Sequence, residues 1–217
     1  MGSGRLASQS LVDISSEVQG KILEGRFDLK KGQNFQKDDL LLRIYDEEFA
    51  LSIQASKSRF MTSIANILPD FKVDFNDSYE RWSDFFDAID TKKQLPELPS
   101  IQSKKEKIFL ASRNVVSDYY SIKSNELRLD KYNIYAPFAG VYTQVFSEVG
   151  SIANPGARLA QIIRTDRLEL EVPVYVSDAK WIKKGDDVEI TNEEGLLSWR
   201  GSVLRVAQYV DHATQSI

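Results

Sequence analysis

The fold is decided by a stretch late in the chain, Gly150–Ile162 (GSIANPGARLAQI), because it repeats the spacing of an earlier one, Gly32–Ile44 (GQNFQKDDLLLRI). A glycine opens both stretches, and apolar residues follow at the same three offsets. At the seventh position the later copy has Gly156 and the earlier copy has Asp38. Such self-similarity predicts two copies of one β unit. Neither copy is long enough to bury a core alone, so we expect the two to pack together.

Strand-like runs surround both copies. One opens on Gly20 and another on Gly140, and Leu40–Ile44 is a further apolar run typical of a strand. Glycine supplies the positive φ that tight turns require. The glycines that we predict to be structural turn residues are Gly20, Gly32, Gly140, Gly150, Gly156 and Gly185.

The middle of the chain is predicted to be helical. No glycine occurs between Gln33 and Ala139, and from about Asp46 the apolar residues take a helical period. Those that carry this period are Phe49, Ile53, Phe60, Ile64 and Ile67. Pro69 is expected to end this first helix, because proline lacks the amide donor that a helix interior needs.

Residues 70–100 are irregular and rich in aromatic side chains. Asn76-Asp77-Ser78 is a plausible N-cap for a short helix over about 78–90, and Pro96 and Pro99 make a stiff break. The aromatic residues of this segment are Phe71, Phe75, Tyr79, Trp82, Phe85 and Phe86. They are either a surface that contacts a partner or a small core that holds the segment onto the hairpin.

A second long helix is predicted to begin after Ser103, with Glu106 completing a capping box, and to run to about Lys131. Its coiled-coil seam repeats every seven residues at Ile108, Val115, Ile122 and Leu129. Two helices separated by a compact segment are expected to fold back as an antiparallel hairpin.

The last part of the chain returns to short strands. We predict strands over Leu168–Val176, Val188–Thr191 and Trp199–Val206, and one or two helical turns over Ser177–Lys183. Turns are expected at Lys184-Gly185-Asp186 and at Glu193-Glu194-Gly195.

Composition excludes several functional classes. The chain has 217 residues, 42% of them apolar, a formal net charge of −4 and no cysteine. Disulfides, thiolate metal sites and cysteine nucleophiles are therefore excluded, and a chain without a basic stripe is a poor binder of nucleic acid. No apolar run approaches the length of a membrane span. Met1–Gly4 has the composition of an expression scar, and no signal peptide follows it.

Two sets of residues resemble the lipoyl half-motifs of periplasmic adaptor subunits, the membrane fusion proteins of the HlyD type. The residues that resemble the second half-motif are Ala136–Val141, Val149-Gly150-Ser151, Pro155-Gly156 and Leu159. Those that resemble the first half-motif are Ser16–Ile22, Lys31-Gly32 and Leu40-Leu41. Leu168–Thr191, with Val174 and the turn Ile182–Val188, resembles the start of the family's β-barrel domain, and Val210-Asp211 with Thr214 the segment that follows.

The resemblance implies a mainly β fold with an α-helical hairpin insertion. A lipoyl-like barrel-sandwich hybrid is split by an antiparallel helical hairpin and followed by part of a β-barrel domain. The domains expected are a scar at 1–4, a first half-motif at 11–45, a hairpin at 46–132 with an irregular tip at 69–100, a second half-motif at 133–164 and a partial barrel at 165–217.

The function that the resemblance implies is not enzymatic. Such a protein links an inner-membrane transporter, here expected to be of the resistance-nodulation-division class, to an outer-membrane exit channel for efflux in a Gram-negative periplasm. It self-associates into a ring and is anchored to the inner membrane through a segment that we expect to lie outside this chain. An ATP-driven or type I exporter remains an alternative partner. The family's better-known hairpins carry an Arg–Leu–Ser pattern near the tip that engages the channel, and that pattern is not found here.

A biotin or lipoyl carrier domain of an enzyme complex is a further alternative, because carriers share the half-motif fold. Carriers modify a lysine on a tight hairpin between their halves, and the candidate residues here are Lys30 and Lys31. A long helical segment stands between the halves instead, so we interpret both lysines as solvated turn residues and expect no cofactor.

The remaining candidates for chemistry also have ordinary interpretations. His212 is the single histidine, and a surface role suits it better than a role as ligand or base. The clusters Asp46-Glu47-Glu48, Asp186-Asp187 and Glu193-Glu194 could bind a cation, but acidic residues at a helix start or turn are also favoured by solvation. Arg59 and Arg113 are interpreted as exposed. With Met1 and Met61 the only methionines, we expect no metal site.

Overall fold

The computed structural model describes residues 4–8, 11–166, 168–192 and 194–207. Their fold divides into two compact units, one formed by Leu11–Arg164 and the other by the described residues before and after that range. The predicted features at Val210-Asp211, His212 and Thr214 lie outside the described residues, as do Met1 and Glu193.

The secondary structure begins with five strands, continues with four helices and returns to strands. The first strands are β1 Arg5–Ser8, β2 Leu11–Ser15, β3 Gly20–Glu24, β4 Asn34–Phe35 and β5 Leu40–Ile44. The helices are α1 Glu47–Asp74, α2 Asn76–Ala88, α3 Lys104–Ser112 and α4 Val115–Asp130. The remaining elements are β6 Asn133–Tyr135, β7 Gly140–Val145, β8 Ile152–Ala153, β9 Arg158–Arg164, β10 Leu168–Glu171, α5 Val176–Ala179, β11 Asp187–Thr191 and β12 Ser198–Ser202.

Two four-stranded antiparallel sheets form the β part of the larger unit. Their strand orders are β2-β9-β7-β4 and β6-β5-β3-β8. Strands β2, β3, β4 and β5 of the first half correspond, in that order, to strands β6, β7, β8 and β9 of the second half. Exchanging every strand for its counterpart converts the first strand order into the second. The short strand of each half therefore pairs with the other half, β4 with β7 and β8 with β3. This exchange confirms the repeat that the sequence predicted.

Equivalent hydrogen bonds show the same symmetry at the level of single residues. The backbone N–H of Gly32 donates to the carbonyl of Tyr142, and that of Gly150 donates to the carbonyl of Ile22, both at 2.8 Å. The apolar positions of both copies are buried in the two clusters that fill this β unit; they are Phe35, Leu41, Ile44, Ala153, Leu159 and Ile162. Each half thus completes the core of the other.

The glycines of the repeat serve two different purposes. Gly32, Gly150, Gly156 and Gly185 have positive φ, as expected of turn residues. Gly20 and Gly140 do not: they open strands β3 and β7, so their interpretation as turn residues is wrong. Close packing explains them instead, because a Cβ on Gly140 would lie 2.3 Å from the carbonyl oxygen of Ile163 and one on Gly20 would lie 2.6 Å from a methyl group of Ile44.

The first helix is longer than predicted, because Pro69 does not end it. Helix α1 continues to Asp74 with Pro69 in its interior, on the exposed side of the helix. Ile67 and Phe71 are both buried on the opposite side of the helix. Their packing keeps the chain helical at Pro69, although proline has no backbone N–H to donate. The predicted N-cap at Asn76-Asp77-Ser78 is also wrong, because α2 begins at Asn76 directly after Phe75 and has no side-chain cap.

The second predicted helix is broken once. Asn114, with φ of 58°, separates α3 from α4 and changes the phase of the buried face. Val115 and Ile122 are buried as expected, and Leu129 is partly buried. Ile108 is 62% exposed, because in α3 the buried side carries Glu106 and Leu110 instead.

The smaller unit contains two antiparallel pairs, β1 with β10 and β11 with β12. The strand predicted to run to Val176 ends at Glu171, two residues before Pro173, and the one predicted to run to Val206 ends at Ser202. The helical turn is α5, which ends at Ala179. Strand β1 is not foreseen in the sequence. The whole confirms a mainly β fold with a helical hairpin inserted into a lipoyl-like unit and a part-barrel β segment after it.

Two glycine substitutions should separate the two glycine roles. We expect Gly156→Ala to lower the free energy of unfolding by about 1 kcal/mol, because its added methyl meets open space and only the backbone conformation is strained. We expect Gly140→Ala to cost more than about 2 kcal/mol, because its methyl would overlap a backbone carbonyl. Denaturant titration of both variants measures the difference, and an equal loss would contradict this assignment.

The repeat also predicts the effect of a substitution at Asp38, the counterpart of Gly156. Asp38 has φ of 65°, a conformation that is costly for residues other than glycine. We expect Asp38→Gly to be neutral or to stabilise the protein by up to about 1 kcal/mol, whereas Asp28→Gly, in the exposed turn between β3 and β4 and without a positive φ, should not stabilise it. A clear loss of stability in Asp38→Gly by thermal unfolding would argue against structural equivalence of the two positions.

Candidate functional site

The segment between α1 and α3 lies along the side of the hairpin, not at its end. Helix α2 runs back beside α1, so that Trp82 contacts Phe71 and Phe85 contacts Phe60, with ring centroids 5.3 and 6.2 Å apart. The chain then reaches Lys57 at Lys93, near the root of the hairpin. The predicted irregular tip at 69–100 is therefore wrong in its geometry, because this segment is partly helical and folds back.

After Leu95 the chain returns toward the far end of the hairpin. The Tyr119 hydroxyl donates to the carbonyl of Pro96 at 3.0 Å, and farther along the indole N–H of Trp82 donates to Glu106 at 3.0 Å. Helix α3 then starts beside the end of α1, where Lys105 lies 3.3 Å from Asp74. The segment 75–103 thus leaves and re-enters the hairpin at the same place.

The six aromatic residues singled out in the sequence mostly form a core. Phe71, Phe75, Trp82 and Phe85 are buried, and Tyr79 and Phe86 are partly buried against the same cluster. Phe109 of α3 joins them, with its ring centroid 5.7 Å from that of Phe71 and 5.4 Å from that of Phe75. Partner contact through the six stays a prediction, and the burial of four of them favours the interpretation as core.

A buried ion pair holds the returning segment to the two long helices. Lys57 of α1 and Glu126 of α4 are 4% and 6% exposed, and their Nζ and Oε1 atoms are 2.6 Å apart. Lys57 also donates to the carbonyl of Lys93 at 2.7 Å, and the N–H of Leu95 donates to the same oxygen of Glu126 at 2.9 Å. Lys123 donates to the carbonyl of Leu95 at 2.6 Å. The pair therefore binds the main chain of another element, not only its own partner.

These contacts set the acidity of Glu126. Burial raises the pKa of Glu126, and hydrogen bonds from Lys57 and from the Leu95 N–H, with the charge of Lys57, outweigh it, so the pKa lies below its ordinary value. Glu126 is consequently ionised in the folded protein near neutral pH, as its role as an acceptor requires.

A second buried carboxylate fixes the start of α3. The N–H of Glu106 donates to the Ser103 hydroxyl at 3.0 Å, which confirms the predicted N-cap. The Glu106 side chain is fully buried and accepts from the N–H of Gln102 at 2.8 Å. In a capping box it would accept from the N–H of Ser103 instead, so the predicted capping box forms with a different donor. Together with Trp82 these bonds tie α2 to the first turn of α3.

The outward surface of the segment is acidic. Four carboxylates stand on one exposed side of α2, and among the described residues none of them forms an ion pair; they are Asp77, Glu80, Asp84 and Asp87. At the far end of α1 the apolar Val73 is 83% exposed. The acidic surface lies on the side of the hairpin, and Val73 lies at its end.

The other candidates from the sequence are dispersed over the surface. Lys30 is exposed and pairs with Asp28 at 2.7 Å, in a turn inside the first half and not between the halves. Arg113 lies 3.5 Å from Asp70, and Arg59 is exposed and donates to the Ser56 hydroxyl. No group of three or more potential metal ligands occurs within the ranges that the structure describes. None of the helices there is long and apolar enough to cross a membrane.

Sequence reasoning missed the residues that organise this site, Lys57, Lys123 and Glu126. For two of them, the helical periodicity of the neighbouring apolar residues contained the signal. Lys57 falls between Ile53 and Phe60 on the apolar side of α1, and Glu126 falls four residues after Ile122 on the apolar side of α4. Charges of opposite sign on the apolar sides of two antiparallel helices predict a buried pair.

The lowered pKa of Glu126 gives a pH dependence of stability. Since its folded-state pKa lies below the ordinary value of 4.5, its ionised form stabilises the fold above that pH, and the contribution is lost as the pH falls through the folded-state pKa. We expect Glu126→Gln to lower the free energy of unfolding near neutral pH by about 3 kcal/mol, because Lys57 loses its counter-charge. It should also lose less stability than the unmodified protein as the pH falls below about 4.5.

Denaturant titrations at several pH values measure both effects, and Glu148→Gln is the matched control, because Glu148 is exposed and should change neither. Full retention of the pH dependence in Glu126→Gln would show that other carboxylates account for it.

Comparisons with known proteins agree with this architecture. No family model matches the sequence, and no curated protein matches it significantly. A Bacteroides eggerthii DSM 20697 protein provisionally described as an efflux transporter matches with 16% identity over 99% of this chain and a TM-score of 0.62. The chain spans 58% of the length of that protein.

Two further solved structures match over nearly the whole chain. The membrane fusion protein Spr0693 from Streptococcus pneumoniae R6 is 12% identical over 98% of this chain and 85% of its own, with a TM-score of 0.59. MacA from Actinobacillus actinomycetemcomitans is 15% identical over 99% of this chain and 68% of its own, with a TM-score of 0.61. The chain therefore has the fold of membrane fusion proteins, the family that its glycine motifs resemble.

Proposed function

We propose that this chain is part of a non-enzymatic periplasmic adaptor. It links an inner-membrane transporter, of the resistance-nodulation-division class, to an outer-membrane exit channel for efflux of drugs or other small molecules. The observation that carries the proposal is the split β unit, in which two interlocked lipoyl-like halves are separated by a hairpin with a first helix of 28 residues. Such a helix extends about 42 Å, enough to project well beyond the β unit.

The same geometry argues against a carrier of biotin or lipoate. A carrier presents its lysine on a short hairpin between the two halves, where an enzyme can reach it. Here α1 to α4 occupy that position, between β5 and β6. Lys30 lies within the first half and pairs with Asp28, so neither its place nor its surroundings are those of a modified lysine.

The adaptor acts by assembly and not by chemistry. Its β units are proposed to associate side by side into a ring, with the hairpins projecting toward the outer membrane and the transporter supplying the energy. The buried core of the hairpin makes it a stiff element, which suits a spacer that must hold two membrane proteins at a fixed distance.

Affinity purification of the native full-length protein after crosslinking in cells tests the proposal. We expect an inner-membrane transporter to co-purify, and its sequence identifies whether proton flux or ATP drives export. Recovery of biotin- or lipoate-dependent enzyme subunits, or an added mass on Lys30 or Lys31, would overturn the adaptor function.

Two photo-crosslinking positions distinguish docking through the end of the hairpin from docking through its side. Val73 is the exposed apolar residue at the end of α1, and Asp84 lies on the acidic side of α2. We expect a probe at Val73 to capture an outer-membrane protein if the hairpin docks end-on, and a probe at Asp84 to capture a partner if it docks sideways. Crosslinks from both positions only onto the protein's own hairpin would contradict docking of this region on an outer-membrane channel.

A further inference from the structure

Side chains of the two long helices, α1 and α4, make four hydrogen bonds to the main chain of residues 89–103. This segment has no helix or strand. Lys57, Lys123, Glu126 and Tyr119 bind its main chain between Lys93 and Pro96, and Glu106 of α3 accepts from the Gln102 N–H near its end. A segment held in this way lacks the cooperative backbone ladder that stabilises helices and sheets. Its attachment therefore depends on a few separate bonds.

The segment also has few apolar anchors. Ile89 and Leu95 are buried, and Leu98 and Ile101 are only partly so. The packing of α1 against α4 and α2, by contrast, uses many fully buried side chains, among them Phe60, Ile64, Phe71, Trp82, Val115 and Ile122. Local opening follows the loss of buried apolar contact, so less energy is needed to release the segment than to separate the helices.

The buried pair of Lys57 and Glu126 does not oppose this release. Lys57 and Glu126 contact each other directly at 2.6 Å, so they stay paired when the carbonyl of Lys93 and the N–H of Leu95 leave. Lys123, which is 29% exposed, retains Glu126 at 3.3 Å. Water can replace the main-chain partners that Lys57 and Glu126 lose, and neither of these two charges is left buried without a counter-charge. Glu106 loses the Gln102 N–H but keeps the hydrogen bond from the indole of Trp82.

We propose that residues 89–103 form a strap that opens locally from the hairpin while α1 and α4 stay paired. The closed state is the one seen here, in which the side chains of Lys57, Lys123, Glu126 and Tyr119 bind the strap. The open state exposes that row of polar side chains and changes the side of the hairpin that carries α2. If the protein is an adaptor, as proposed above, this opening regulates what the side of the hairpin can contact.

Native-state hydrogen exchange of the whole chain, read by mass spectrometry or NMR, tests the strap. We expect the Leu95 amide to exchange with a lower opening free energy than the amides of Phe60 to Ile67, and with little dependence on low concentrations of denaturant. Tyr119→Phe removes the hydroxyl that donates to Pro96 and keeps the buried ring, so strap amides should exchange about five to ten times faster. Tyr120→Phe is the matched control, because the neighbouring Tyr120 is 62% exposed, and it should change nothing.

A further variant separates local from global opening. Phe49 stacks on Tyr132 at the root of the hairpin, a contact that persists when the strap opens. We expect Phe49→Leu to accelerate exchange in α1 and leave strap amides unchanged. If it accelerates both equally, or if Tyr119→Phe leaves the strap as slow as Tyr120→Phe does, the strap opens only when the whole unit unfolds and the proposal is wrong. Because this test uses the isolated protein, its outcome is independent of whether a transporter co-purifies.

Discussion

Pairing of β5 with β6 is the constraint on which the hairpin depends. These strands lie on either side of the inserted helices, and their register sets Leu42 opposite Ile134. The N–H of Ile44 donates to the carbonyl of Tyr132 at 2.7 Å. Tyr132 directly precedes β6, and Ile44 lies three residues before the start of α1. The chain must therefore leave the β unit and return to it at adjacent points. An insertion with its two ends held together must return to its starting point. Here it does so as two long helices, α1 and α4, that pack side by side.

Matched lengths then explain why the middle segment folds back. Helix α1 extends about 42 Å from the β unit, and residues 104–130, which contain α3 and α4, descend through about 40 Å. The length of α1 therefore already matches the combined length of α3 and α4. Residues 75–103 are not needed to bring the chain back to the β unit. They can either project beyond the end or lie along the side, and their buried aromatic residues make the side more favourable. Trp82 and Phe85 find partners on α1 that a projecting loop would not have.

Much of the β unit could be predicted from the sequence, because glycine and apolar spacing report directly on turns and on alternate side chains. The equivalence of Gly32 with Gly150 rests on such local signals. The errors arose where tertiary contacts override local preference. Pro69 remains inside a helix because Ile67 and Phe71 are buried beside it, and Asn114 breaks a seam that a strict seven-residue repeat continues through. The side chains that bury Phe71, Trp82 of α2 and Phe109 of α3, come from other elements and are not visible in a local window.

The charged residues of the site escaped prediction for a different reason. Lys57 and Glu126 are 69 positions apart, and either alone on an apolar helix side would be an unfavourable exception. The two side chains stabilise the structure only when α1, α4 and the returning segment are brought together. A buried apolar pair of similar volume would stabilise the helices at least as well, but it could not bind the carbonyl of Lys93 and the N–H of Leu95. The pair therefore specifies where the segment turns, and this positional specificity compensates for the cost of burying two charges.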